Sequence, residues 1–195
     1  MKRLGFIIPI LAVVLVPLLV GCSGTVDSPP GESIDSLIHS ATAHFHAMPP
    51  RYDLAIRDYT KAIEIQPKSR AQHQEALTMR AYSYEWLDKR ELATQDWDKL
   101  IDLLPIAGNY KSRGDNYLHL GYNERALKDF NKAVELTDDD DLWAGNAYLL
   151  RSHAYEALSQ PDRAAADAAE ACRLGVGGKW SSDWLAEKVG FKCAD

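Results

Sequence analysis

The stretch that most constrains the fold is residues 114 to 136, GDNYLHLGYNERALKDFNKAVEL. It reads as two short amphipathic helices joined by a tight turn at Gly121-Tyr122-Asn123. On the first helix, Tyr110, Arg113, Gly114 and Tyr117 fall at i, i+3, i+4 and i+7, one face of a 3.6-residue period. On the second, Ala126, Phe130 and Ala133 fall at i, i+4 and i+7. Gly114 and Ala126 are small enough to let the two backbones approach, and Tyr117 and Phe130 fill the space beside them. A single hairpin of this size cannot bury its apolar face alone; it needs copies stacked on both sides.

The copies are present. With Ala107 as position 1, the hairpin has Gly114 at 8, Tyr117 at 11, Ala126 at 20, Phe130 at 24 and Ala133 at 27. Upstream, Ala81, Tyr84, Ala93, Trp97, Leu100 and Pro105 take positions 8, 11, 20, 24, 27 and 32, and Ala43, His46, Ala55, Tyr59, Ala62 and Pro67 repeat the series. Downstream, Ser152, Tyr155, Ala164, Ala168 and Ala171 take 8, 11, 20, 24 and 27. The position-20 alanines are spaced 38, 33 and 38 residues apart. This pattern resembles the tetratricopeptide repeat (TPR) family, whose period is about 34 residues, and the resemblance covers residues 36 to 175. It implies an all-α, right-handed superhelix of four helix hairpins, at about 36–67, 74–105, 107–138 and 145–175 within a domain of 35–175. The two long spacings place extra turns or loops at KSRAQHQ and TDDDDLWAG.

Both ends of the chain read differently. Lys2 and Arg3 precede Leu4 to Val20, an uncharged run interrupted by Pro9 and Pro17. A membrane span needs about 20 apolar residues, so residues 1–21 read as a secretory signal; the alternative is an uncleaved anchor helix. LVGC at 19–22 resembles the lipobox of bacterial lipoproteins, which implies that Cys22 is lipidated and becomes the N-terminus. Residues 22–34 then form a polar, proline-containing tether. In similar lipoproteins Asp after the lipidated Cys favours the inner membrane, so Ser23 implies an outer-membrane protein facing the periplasm. With Cys22 acylated and the chain exported, Cys172 and Cys193 are the two cysteines left, and a disulfide between them is expected in that oxidising compartment. It would clip a short final helix within 176–195, SSDWLAEKVGF, onto the stack as its cap.

Charge patterning adds a structural expectation. Asp58, Asp96, Asp129 and Asp167 occupy position 23, and Arg80, Arg113 and Arg151 occupy position 7. They suggest a ladder of ion pairs, within each repeat or between neighbours, that fixes register. His39, His44 and His46 do not share one helix face as a metal site would require, and His46 fills the aromatic slot. Asp138 to Asp141 lack the spaced ligands and glycine of a calcium loop and read as a solvated turn capping the next helix. The net charge of −6 and the lack of a Lys/Arg cluster argue against nucleic acid. No catalytic motif is found, and no cofactor or metal is expected.

The resemblance implies an interaction scaffold for envelope proteins or peptides, in pilus assembly, outer-membrane protein insertion or cell-wall machinery; the alternative is a periplasmic enzyme or small-ligand-binding protein using the same groove. On each first helix, positions 2, 5, 9, 12 and 13 lie opposite the face packed on the second, and in TPR proteins that side lines the groove. In the second repeat these are Glu75, Thr78, Tyr82, Glu85 and Trp86; Lys111, Asp115 and His119 follow in the third, and Asn146, Leu149 and His153 in the fourth. Tyr82 and Trp86, one turn apart, form an aromatic ledge for a partner, or else Trp86 packs on its own turn or a neighbouring repeat. The Lys/Asn/Arg clamp of TPR chaperone adaptors is not expected, because Ser40, His44, Met79, Gly108 and Ser112 stand at its positions.

Overall fold

A computed structural model describes residues 33–65, 69–137 and 142–176. Eight helices follow one another: α1 (Ile34–Phe45), α2 (Tyr52–Glu64), α3 (Arg70–Trp86), α4 (Arg90–Leu103), α5 (Ala107–His119), α6 (Asn123–Glu135), α7 (Leu142–Ala157) and α8 (Pro161–Arg173). The described residues contain no strand. Each odd-numbered helix packs on the next even one as a hairpin, and each hairpin packs on its neighbours. The odd helices α1 and α3, and α5 and α7, also touch directly, so they line one side of the stack. Among the described residues no helix is long and apolar enough to cross a membrane.

Local sequence sets the helix ends. Ser33 caps α1 in a reciprocal box: its Oγ accepts from the Ser36 amide at 3.1 Å, and Ser36 Oγ accepts from the Ser33 amide at 2.9 Å. Pro161 opens α8, where its missing N–H costs nothing. Three of the four hairpins share one turn. Asp88, Gly121 and Ser159 take φ values of 55°, 77° and 59°. Lys89, Tyr122 and Gln160 then each donate a backbone hydrogen bond of 2.8 Å back to the carbonyl of Tyr84, Tyr117 or Tyr155. This left-handed step ends the helix and reverses the chain. Only Gly121 adopts it without a Cβ penalty.

The repeating small and large residues form the core. Ala55, Ala93, Ala126 and Ala164 are fully buried, as are Ala62, Ala133 and Ala171, with Leu100 nearly so. Tyr59, Trp97, Phe130 and Ala168 fill position 24. The polar atoms of the first two are satisfied: Tyr59 Oη lies 2.9 Å from Thr42 Oγ1, and Trp97 Nε1 donates to Glu85 Oε1 at 2.8 Å. At Gly114 a Cβ would sit 2.8 Å from Phe130 Cε1, so the close approach of α5 and α6 requires glycine there.

The first hairpin departs from the expected register. Ala43 and His46 are exposed, whereas Ala41 is fully buried and His44 is half-buried. The backbone identifies the same shift: Arg51 N donates to His44 O at 3.0 Å, the role the tyrosine carbonyls play in the other hairpins. Positions 8 and 11 of this repeat are therefore Ala41 and His44, two residues earlier than the spacing suggests. The turn between α1 and α2 is correspondingly longer and contains a cis Met48–Pro49 bond. His46 does not fill the aromatic slot.

The Arg/Asp ladder is resolved as pairing within each hairpin. Arg80 Nε and Nη2 donate to Asp96 Oδ2 and Oδ1 at 2.7 and 2.6 Å. Arg113 holds Asp129 with both bonds at 2.7 Å, and Arg151 holds Asp167 at 2.6 and 2.8 Å. The remaining Nη1 reaches back one repeat, to Thr60 Oγ1 at 2.9 Å, Asp98 Oδ1 at 2.7 Å and Asn131 Oδ1 at 3.1 Å. These three acceptors occupy one position, two residues after the ladder Asp of the preceding repeat. Each Arg thus closes its own hairpin and fixes its register against the hairpin before. In the first hairpin Ser40 replaces Arg and donates to Asp58 Oδ2 at 2.7 Å, while Arg57 Nε donates to Oδ1 at 2.9 Å.

Segments 66–68 and 138–141 lie outside the described residues, and with them the acidic run Asp138 to Asp141. α3 begins at Arg70 and α7 at Leu142, a turn or nearly a turn before the expected starts of the second and fourth repeats. Arg70 Nη2 fastens the added turn by donating to Leu103 O at 2.7 Å.

Candidate functional site in the concave groove

The inner faces of α3, α5 and α7 enclose a cavity of about 300 Å³ lined by Tyr82, Glu85, Lys111, Ser112, Asp115 and Leu150. Helical geometry brings them together. Tyr82 and Glu85 are three residues apart on α3, Ser112 and Asp115 three apart on α5, and such pairs share a face. The cavity unites Tyr82, Glu85, Lys111 and Asp115 of the expected groove residues. Thr78, Trp86, His119, Leu149 and His153 do not line it.

Tyr82 is 37 % exposed, and its ring meets Trp97 edge-on at 5.3 Å. Burial pushes its phenol pKa up, and Ser112 beside it opposes the shift. Trp86 takes a different neighbour: it stacks on Tyr52 of the preceding hairpin, centroids 5.8 Å apart and planes within 2°. It remains 67 % exposed, with its outer face open. Each aromatic leans on a different ring, so the two are anchored separately, Tyr82 at the cavity and Trp86 at the seam of the first two hairpins.

Beneath the cavity lies a polar network. Glu85 Oε1 accepts from Trp97 Nε1 at 2.8 Å and from Asn116 Nδ2 at 2.6 Å. Asn116 is fully buried; its Nδ2 also donates to Ser112 O at 2.8 Å, and Arg90 Nη1 donates to its Oδ1 at 3.4 Å. Asp115 Oδ2 stands 3.9 Å from Arg90 Nη1 and 3.7 Å from His119 Nε2. Burial holds Glu85 above the ordinary carboxylate pKa; Asp115 adds to the rise, while Asn116, Trp97 and Arg90 oppose it.

On α7, burial lowers His153 to about 4, so its imidazole is neutral at pH 7. Leu150 is not among the expected groove residues, and Ser112 is expected there only as a clamp position that lacks the clamp's charge. They occupy position 6, which continues the helical stripe through positions 2, 9 and 13, so the signal was present in the spacing. With the first hairpin in its correct register, Ile38 and Thr42, rather than Ser40 and His44, stand at the clamp positions, and neither carries a charge.

Among the described residues no group of three or more His, Cys, Asp and Glu side chains gathers as metal ligands would. His39 and His46 are exposed, and His44 Nε2 lies 3.7 Å from Asp58 Oδ2. Cys172 sits half-buried in the last turn of α8. Cys22, Cys193 and the expected capping helix lie outside the described residues.

Residues 109–140 match the family model described as a tetratricopeptide repeat. Comparison with curated proteins finds no match. Among solved structures, MamA from Desulfovibrio magneticus RS-1 is similar with a TM-score of 0.68 at 16 % identity, covering 81 % of this chain and 84 % of that one. A thermophilic TPR protein of Thermus thermophilus gives 0.59 at 22 % identity, covering 80 % of each. The first TPR of Spaghetti, solved bound to an HSP90 peptide, gives 0.53 at 26 % identity over 65 % of this chain and 93 % of that one. The hairpins, their repeated turns and these likenesses agree: over its described residues the chain folds as an all-α tetratricopeptide-repeat superhelix.

Proposed function

We propose that the protein is a lipid-anchored scaffold of the bacterial envelope that holds a partner protein or peptide in its concave groove. The observation that carries this reading is the cavity at the groove centre, with Tyr82 partly exposed on one wall and carboxylates on two helices. An aromatic anchor in a concave, partly desolvated site is the usual source of interface energy. The Spaghetti neighbour was solved with a peptide bound. TPR scaffolds act by binding rather than by chemistry, and the residues around this cavity form no nucleophile–base pair.

Cys22 carries the anchor in this reading, through the LVGC motif after a basic and then apolar leader. Two or more acyl chains hold a protein to a bilayer where one does not. Ser23 directs it to the outer membrane, facing the periplasm. Cys172 and Cys193 form a disulfide that ties the chain end to α8. The partner belongs to envelope assembly, whether of pili, outer-membrane proteins or the cell wall.

Two experiments test this. Cys22→Ala should leave the protein unprocessed or soluble; a processed mutant that still fractionates with membranes contradicts the anchor. The 23–195 fragment, used as bait in envelope extract, should recover a stoichiometric protein partner. Tyr82→Ala with Trp86→Ala should lose it while keeping a helical spectrum. Unchanged recovery removes these residues from the binding face.

A further inference from the structure

We infer that the central cavity of the groove receives a basic side chain, arginine or lysine, from an extended segment of the partner. This deepens the proposed function and rests on it.

Three observations favour a cation. First, Glu85 lines the cavity with no ion pair among the described residues. Both of its hydrogen bonds end on Oε1 and come from the neutral donors Trp97 and Asn116. Oε2 accepts no hydrogen bond among the described residues, and a half-buried carboxylate in that position gains most from an added positive donor. Second, Asp115 supplies another carboxylate from the facing helix, only loosely held by Arg90 Nη1 at 3.9 Å and His119 Nε2 at 3.7 Å, and Tyr82 lines the same cavity. A guanidinium or ammonium laid against a tyrosine face between two carboxylates combines charge-assisted hydrogen bonds with cation–π attraction. Third, the wider groove is acidic. On the inner positions of the odd helices, Asp35, Glu75, Glu85, Asp115 and Glu156 face a single lysine, Lys111. An acidic segment would meet that lysine amid five carboxylates, whereas a basic one is steered inward by the same field. Leu150 closes the far wall and suits the aliphatic stem of either basic residue.

The probe is an immobilised library of random 12-residue peptides, incubated with the purified protein and then with Glu85→Gln. That substitution keeps the amide oxygen available to Trp97 and Asn116, so the fold is retained. The inference expects arginine and lysine enriched among bound peptides, and affinity for the best binder about tenfold weaker in Glu85→Gln, equivalent to about 1.4 kcal/mol. Lys111→Gln should bind the same peptides at least as well as the wild type. Enrichment of aspartate and glutamate, or equal affinity in Glu85→Gln, overturns the inference. If selected peptides are acidic or neutral yet are lost in Tyr82→Ala, the groove still binds peptide and only the basic preference fails. If no peptide is retained by the wild type, the peptide-binding reading fails with it.

Discussion

Replacing Asp96 by Asn tests what the Arg/Asp ladder does. The change preserves volume and removes one charge. Arg80 would keep its guanidinium in a site where its side chain is 10 % exposed and that of Asp96 is 2 %. It would lose a bidentate pair with bonds of 2.7 and 2.6 Å. Stripping one partner from a buried ion pair costs about 3–5 kcal/mol, because the other charge is left desolvated and uncompensated. Arg80 retains Thr60 Oγ1 at 2.9 Å and the Tyr84 ring at 5.9 Å, which places the loss at the lower end, about 3 kcal/mol. The pair itself contributes much less than that. Arg80→Met with Asp96→Leu should fall within about 1 kcal/mol of wild type, since apolar replacements of buried pairs are often neutral or better. Urea unfolding followed by circular dichroism measures both variants. Native-state hydrogen exchange locates the loss, because a solenoid can open repeat by repeat. A loss below about 1 kcal/mol for Asp96→Asn, or a double variant as unstable as the single one, refutes the argument.

Further expectations follow from the same contacts. Gly114→Val would press its side chain into the buried Phe130 ring, where even a Cβ comes within 2.8 Å, and should cost about 2 kcal/mol or more of stability in a urea melt. His153 is depressed to about 4 from 6.5, so the unfolded chain takes up a proton that the folded chain refuses between those values. Stability from this group is therefore complete above pH 6.5 and falls as pH drops towards 4, by at most about 3 kcal/mol, and His153→Gln should flatten the difference. The expected Cys172–Cys193 bridge closes a loop worth about 3 kcal/mol in the chain-entropy picture. A thiol assay in non-reducing denaturant should find neither cysteine of the 23–195 fragment reactive, and two reactive thiols contradict the bridge.

Much of the fold was legible because solenoid packing imposes the same size constraint at the same position in every hairpin. Positions 20, 24 and 27 lie where two helices meet, so Ala55, Trp97 and Phe130 announce themselves. The first hairpin was misread by two residues because Ala41 and Ala43 are equally small and His44 and His46 equally plausible. Position 4 held the missing signal. Leu77, Tyr110 and Tyr148 are apolar or aromatic there, which matches Leu37 in the observed register and conflicts with His39 in the other. The turns were only partly visible, because Asp88 and Ser159 take a left-handed conformation that Gly121 alone advertises. The ladder's pairing could not be chosen from composition, since Arg can reach an acceptor in its own hairpin and one in the hairpin before; it does both. The site was harder still. Asn116 and Glu85 make contacts that depend on the spacing between α3 and α5, a tertiary distance no single helix pattern encodes.

The central claim is that the concave face, and not the outer one, meets the partner. Site-specific incorporation of a photo-crosslinking phenylalanine derivative in living cells tests it directly, at Tyr82 in the groove and at the exposed Asp102 on α4. The account predicts a discrete protein adduct from position 82 that is absent from position 102. Adducts from 102 alone, or from neither position with the protein folded and in place, would contradict it.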